Sequence, residues 1–83
     1  MSLFHKYPYE YELRVEGMRC SMCEAHVNDL IRKAIPEAKK LKSSHLKGLT
    51  VFSSDSEVEE ARIKEALASS GYDLKEIRLK RRN

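Results

Sequence analysis

The chain has 83 residues, enough for one domain, and a domain of this size buries only about 60% of the surface its unfolded form exposes, so a deep substrate cavity is not expected. An apolar share of 41% beside a charged share of 35% fits a globular fold, and no apolar run nears the roughly 20 residues of a membrane-spanning helix. Sixteen Lys and Arg against thirteen Asp and Glu leave a net charge of +3, with the excess mostly in the second half: a solvated face first, and secondarily a means of steering toward an acidic partner.

Met1 to Lys6 lacks a basic start followed by an apolar stretch and does not read as a secretory signal, so a reducing cytoplasm is the expected compartment. From Tyr9 to Glu16 the chain alternates Tyr9, Tyr11, Leu13, Val15 with Glu10, Glu12, Arg14, Glu16, the period of a half-buried strand. Gly17 ends the alternation. Ser21 and Glu24 have capping-box spacing, and Val27, Leu30, Ile31, Ala34 and Ile35 form one apolar helix face that runs to Pro36. Glu37 to His45 offers only Ala38 and Leu41 among lysines and serines, which suits an edge strand.

A turn over Ser44 to Gly48 leads to a strand at Leu49, Thr50, Val51 and Phe52, making a hairpin. Ser56 and Glu59 repeat the capping-box spacing, which predicts a second helix from about Glu57 to Ser70, stopped by Gly71. Tyr72, Leu74, Ile77 and Leu79 predict a last strand whose alternation slips at Lys75-Glu76, through a bulge, before a frayed tail from Lys80 to Asn83. Strand, helix, strand, strand, helix, strand is the order of an α+β ferredoxin-like sandwich: a four-stranded antiparallel sheet with both helices on one face, here a single domain over 1–83 with its core at about 8–79.

Both cysteines fall in one Cys-x-x-Cys pair, Cys20 and Cys23, and in a cytosolic chain that spacing points to metal or redox chemistry before a structural disulfide. Cys20 is expected in the loop after the first strand and Cys23 in the first helical turn, where unpaired N–H groups favour a thiolate. Two soft sulfurs without further partners suit monovalent copper, whereas structural zinc takes four ligands.

Gly17-Met18-Arg19-Cys20-Ser21-Met22-Cys23 resembles the Gly-Met-x-Cys-x-x-Cys signature of the heavy-metal-associated domain family, which includes copper chaperones and the N-terminal domains of metal-transporting P-type ATPases. The resemblance covers about residues 8 to 79, with Gly71-Tyr72 matching the Gly-aromatic before the last strand of many bacterial members. It implies that Cys20 and Cys23 ligate metal, that Met18 packs under the loop and that Tyr72 lies near the ion. The cargo it implies is Cu(I), with Zn(II), Hg(II) or Cd(II) as alternatives. The partner it implies is a P-type ATPase or another paired-cysteine domain, reached as a monomer or a metal-bridged dimer, without catalysis, nucleic acid or membrane insertion. Two positions depart from the pattern: Arg19 stands where Thr or Ser is common, and Glu37-Ala38 where Gly-Val is frequent.

Other readings compete. A thiol-disulfide oxidoreductase would also put Cys-x-x-Cys between strand and helix, but no aromatic precedes Cys20, the intervening pair is Ser-Met, and Pro36 ends the helix rather than facing the thiols. His26, three residues after Cys23, is an accessory ligand candidate against an exposed helix histidine; Met22 is a thioether against a packing or exposed residue. An RNA-binding module of the same topology would need rings where Leu49 and Val51 stand.

Overall fold

The computed structural model describes residues 7–81, so the expectations for Met1 to Lys6 and for Arg82 and Asn83 lie outside the described residues. The elements are β1 (Tyr9–Glu16), α1 (Ser21–Ala34), β2 (Lys39–Ser44), β3 (Leu49–Ser54), α2 (Glu60–Ala68) and β4 (Asp73–Arg81). They form one antiparallel sheet of order β2-β3-β1-β4. This is the ferredoxin-like arrangement the element order predicts.

The alternation of β1 decides which sheet face is covered. Tyr11, Leu13 and Val15 are buried beneath the helices together with Thr50, Phe52 and Ser54 of β3, and Val27, Ile31, Ile63 and Leu67 close the core from α1 and α2. Tyr11 and Phe52 are register partners whose rings stack 5.0 Å apart. On the other face Glu12 and Arg14 sit between the edge strands, with Arg14 3.6 Å from Glu76.

Both sheet edges are interrupted. In β2 the register with β3 shifts between Lys39 and Lys42, and Lys40 takes a left-handed φ of 54° at the irregularity. A lysine-rich, kinked edge is poorly suited to pairing with a foreign strand. In β4 the register with β1 passes from Arg14↔Glu76 to Val15↔Leu74, which leaves Lys75 as the extra residue. The slip expected at Lys75-Glu76 is therefore a bulge, and the freed Lys75 ammonium reaches Glu16 at 3.3 Å. The strand continues to Arg81, so Lys80 and Arg81 are not the start of a frayed tail: both pair with β1, opposite Glu10 and Tyr9.

The helix starts differ from the capping-box expectation. Ser21 is the first helical residue and Cys20 the N-cap, without a side-chain cap, because the Glu24 carboxylate is committed to His45 instead of turning back to the helix start. α2 begins at Glu60, not Glu57, and Ser56 does not cap it. The reason is Tyr11: its hydroxyl accepts from the Val58 amide at 2.7 Å and donates to the Val58 carbonyl at 3.3 Å, so neither group is free for the helix. Ser54 Oγ similarly donates to the Ser56 carbonyl at 2.7 Å. At the other end of α1 the residue before Pro36 is driven out of the helical region, and Ile35 adopts φ −131° and ψ 79°. Among the described residues no helix is long and apolar enough to cross a membrane.

Replacing Tyr11 by Phe keeps the ring in the core but leaves the buried Val58 amide without its acceptor. We expect Tyr11→Phe to lower unfolding free energy by about 1–3 kcal/mol. Urea unfolding followed by far-ultraviolet circular dichroism measures it, and an unchanged midpoint would contradict this account of the α2 start.

Candidate metal centre

Four residues carry the chain from β1 into α1. Gly17 has φ +111°, a value that side-chain-bearing residues rarely adopt, and it turns the chain back over the sheet. Met18 is 7% exposed and packs into the core, which pins the loop from beneath as the family resemblance implies. Arg19 points outward and, among the described residues, makes no ion pair. Cys20 then takes extended backbone angles, and its carbonyl accepts from the amides of Cys23 at 3.0 Å and Glu24 at 3.2 Å. With an anchor below and a helix behind, the two cysteines stay at the surface.

The sulfurs face one another. Cys20 Sγ donates to Cys23 Sγ at 3.7 Å, and both thiols are free, Cys20 exposed and Cys23 half-buried. The Cys23 thiol is lowered from 9.0 to about 7, first by the Arg19 backbone, then by the Cys20 side chain and the Cys20 backbone, with Tyr72 contributing least. The thiol is lowered as the sequence predicts, but by the backbone of Arg19 and Cys20 in the loop before α1 and not by the unpaired amides of the helix itself. Because the folded value is below the ordinary one, thiolate formation favours the folded state increasingly from pH 7 to 9 and gives no such support below 7.

Tyr72 approaches from the opposite loop. The end of α2 is a Schellman turn: the Tyr72 amide donates to Leu67 and the Gly71 amide to Ala68, with Gly71 at φ +87°. That turn sets the ring against the β1–α1 loop, where a Cβ on Gly17 would lie 3.2 Å from Tyr72 Cδ1. The hydroxyl is 3.1 Å from His26 Nδ1. Burial and then the neighbouring Cys23 and Cys20 raise the phenol pKa. His26 is exposed on its helix and directs Nδ1 at Tyr72, while Met22 projects into solvent at 79% exposure. Among the described residues no cluster of three or more His, Cys, Asp or Glu is arranged to hold an ion, so the sulfurs stand as a pair.

Two contacts at this end had no clear signal in the sequence. Glu24 accepts from the His45 amide at 2.7 Å and lies 2.6 Å from its Nδ1, which ties the β2–β3 turn to the first turn of α1. The His45 amide and then its imidazole hold the Glu24 carboxyl below its ordinary value. This contact supports the fold at pH above the carboxylate range and weakens as pH falls through it. The His26–Tyr72 contact is the second, joining residues 46 positions apart.

Alkylation of Cys23 by iodoacetamide in the metal-free protein, resolved by peptide mass spectrometry, is expected to rise with a midpoint near pH 7. Cys20→Ser removes the sulfur neighbour and moves that midpoint upward. A midpoint near the ordinary thiol value in the unsubstituted chain would refute the loop-backbone account.

No protein-family model matches the sequence, and no curated protein does either. Solved structures do. The chain superposes on the CopZ metallochaperone with a TM-score of 0.68 at 27% identity, covering 78% of this chain and 97% of that one. Oxidized MerP from Ralstonia metallidurans CH34 gives 0.67 at 25% identity over 80% of this chain and 92% of its own. The N-terminal domain of ZntA in its Zn(II) form gives 0.71 at 24% identity over 82% and 90%, a likeness of fold. With the ferredoxin-like sheet and the Gly-Met-Arg-Cys-Ser-Met-Cys loop between β1 and α1, the chain is similar in fold and loop to the heavy-metal-associated, copper chaperone-like domains.

Proposed function

We propose that this domain carries Cu(I) as cargo between Cys20 and Cys23 and hands it, by thiolate exchange, to another paired-cysteine domain. The observation that carries the reading is the pair itself: two thiols with sulfurs 3.7 Å apart, open to solvent, one of them lowered to about 7. Thiolate–metal bonds of about 2.3 Å span about 4.6 Å when linear, so a small side-chain rotation lets both sulfurs grip one ion. Soft, low-coordinate Cu(I) suits two thiolates, whereas Zn(II) prefers four ligands that this loop does not offer. The neighbours support metal handling in general: CopZ is a metallochaperone, and the ZntA domain is described in its Zn(II) form.

Transfer follows from exposure. A thiolate of the partner approaches the ion from the solvent side, one new copper–sulfur bond forms, and then the bond to Cys20 or Cys23 breaks. No covalent bond of the protein changes, so the domain acts as a carrier and not as an enzyme. A reducing cytoplasm keeps both thiols available. The receiving domain is proposed to be the N-terminal domain of a metal-transporting P-type ATPase, with charge complementarity, including the outward Arg19, guiding the encounter.

The low thiol pKa would also serve disulfide exchange, and one experiment separates the two readings. Titrated with Cu(I) against a competing chelator under reducing conditions, the unsubstituted chain is expected to bind one ion and the Cys20→Ser/Cys23→Ser variant none. Stoichiometric binding retained in the double variant overturns the proposal. Disulfide reductase activity toward insulin without copper binding establishes the redox reading in its place.

A further inference from the structure

Tyr72 is only 8% exposed although it follows a surface turn, and it is held from three sides. Its ring edge lies against the Gly17 backbone, so closely that a methyl group at Gly17 would sit 3.2 Å from Cδ1. Its hydroxyl is 3.1 Å from His26 Nδ1, and the two rings meet edge-on at 73° with centroids 5.5 Å apart. On its third side it faces Cys23, which packs against the same core cluster.

A phenol hydroxyl has one proton to give and lone pairs to receive with. An imidazole carrying its proton on Nδ1 donates to the Tyr72 oxygen, and the phenol proton is then directed to the Cys23 sulfur. In the opposite tautomer the phenol would donate to His26 instead, with the hydroxyl held in the same place.

We infer that His26 is a positioning residue for the sulfur pair: by holding the Tyr72 hydroxyl beside Cys23 it closes the inner side of the pair and biases it toward an ion that needs two ligands. The inference rests on the metal-binding reading above and adds to it a residue that determines specificity. A divalent ion seeking a third or fourth ligand on that side has to displace a buried ring fixed at Gly17 and at His26. A two-coordinate ion approaching from solvent leaves the ring where it is. His26 is not itself a ligand in this arrangement, since its Nδ1 is committed to Tyr72.

The test compares His26→Ala, His26→Asn, Tyr72→Phe and the His26→Ala/Tyr72→Phe double variant. His26 is exposed on α1, so its substitutions leave the core intact, and Tyr72→Phe keeps the buried ring. Competition titrations give the ratio of Cu(I) to Zn(II) affinity for each. His26→Ala is expected to lower that preference about three- to tenfold, the size of one hydrogen bond's net contribution. His26→Asn, whose amide stands near the place of Nδ1, keeps most of it. Tyr72→Phe matches His26→Ala, and the double variant adds nothing further. In nuclear magnetic resonance spectra of the metal-free protein, the contact between the Tyr72 ring and the Gly17 α-protons weakens in His26→Ala and persists in His26→Asn.

An unchanged affinity ratio in His26→Ala, or effects of the two single variants that simply add, overturns the inference. A chain that binds neither ion refutes the metal-binding reading itself. Positioning is then judged in the metal-free protein, where a Tyr72–Gly17 contact unaffected by His26→Ala overturns it as well.

Discussion

Everything distinctive about this chain depends on how β1 is allowed to become α1. A helix leaves its first amides without intrahelical acceptors, and most helices answer with an oxygen from a capping side chain. Here the N-cap is Cys20, and no side chain caps the helix. The amides of Cys23 and Glu24 converge on the Cys20 carbonyl, and the backbone of Arg19 and Cys20 is turned toward the Cys23 sulfur. The helix amides are thus met by the Cys20 carbonyl, and it is the loop backbone before the helix that lowers the Cys23 thiol. The same arrangement explains why both cysteines are accessible: Met18, sunk into the core immediately before them, holds the loop down so that Cys20 need not.

The second strand-to-helix passage, from β3 into α2, solves the same geometric problem in the opposite way. Its backbone groups are closed by oxygens, Ser54 bonding to Ser56 and Tyr11 bonding to both polar groups of Val58. That passage anchors on the buried Ser54 and Val58 and offers no nucleophile, while the first is open and carries two thiols. The sheet places them at opposite ends, because β1 runs toward the cysteine loop and the antiparallel β3 runs away from it. A rigid far end and a reactive near end are therefore consequences of one topology with two kinds of connection.

Much of this was legible in the sequence, and the exceptions have physical causes. The alternation of Tyr11, Leu13 and Val15 identified the covered face because sheet periodicity is local. The slip at Lys75 was visible for the same reason, since a bulge moves a charged residue into the apolar phase. Capping was misjudged twice because Ser21 and Ser56 have the right spacing to a glutamate, while the partners that override the spacing, His45 for Glu24 and Tyr11 for Val58, come from other strands and turns. Lys80 and Arg81 read as a tail because they are charged, yet their backbone pairs with β1 whatever their side chains do. The Cys20–Cys23 spacing pointed to the site and the family resemblance set Tyr72 near it, while the sulfur separation follows from the β1–α1 loop and the fit of the phenol from the Schellman turn that returns Tyr72 to that loop.

That turn bears on how a site can be both open and selective. If the domain passes an ion on as proposed, that ion cannot be enclosed, and selectivity would come from the side of the pair that the partner does not use. The loop backbone favours thiolates in general, without regard to the metal that meets them. Discrimination therefore falls to what stands behind the sulfurs. Behind them are a buried ring, a glycine against which a methyl group would fit only tightly, and a histidine bonded to the ring's hydroxyl. Release on that reading would proceed on the outer side, where the side chains of Cys20 and Arg19 are exposed. On the proposed carrier role, the fold would separate two demands that conflict in a closed cage, the inner side limiting coordination number and the outer side setting the rate of exchange.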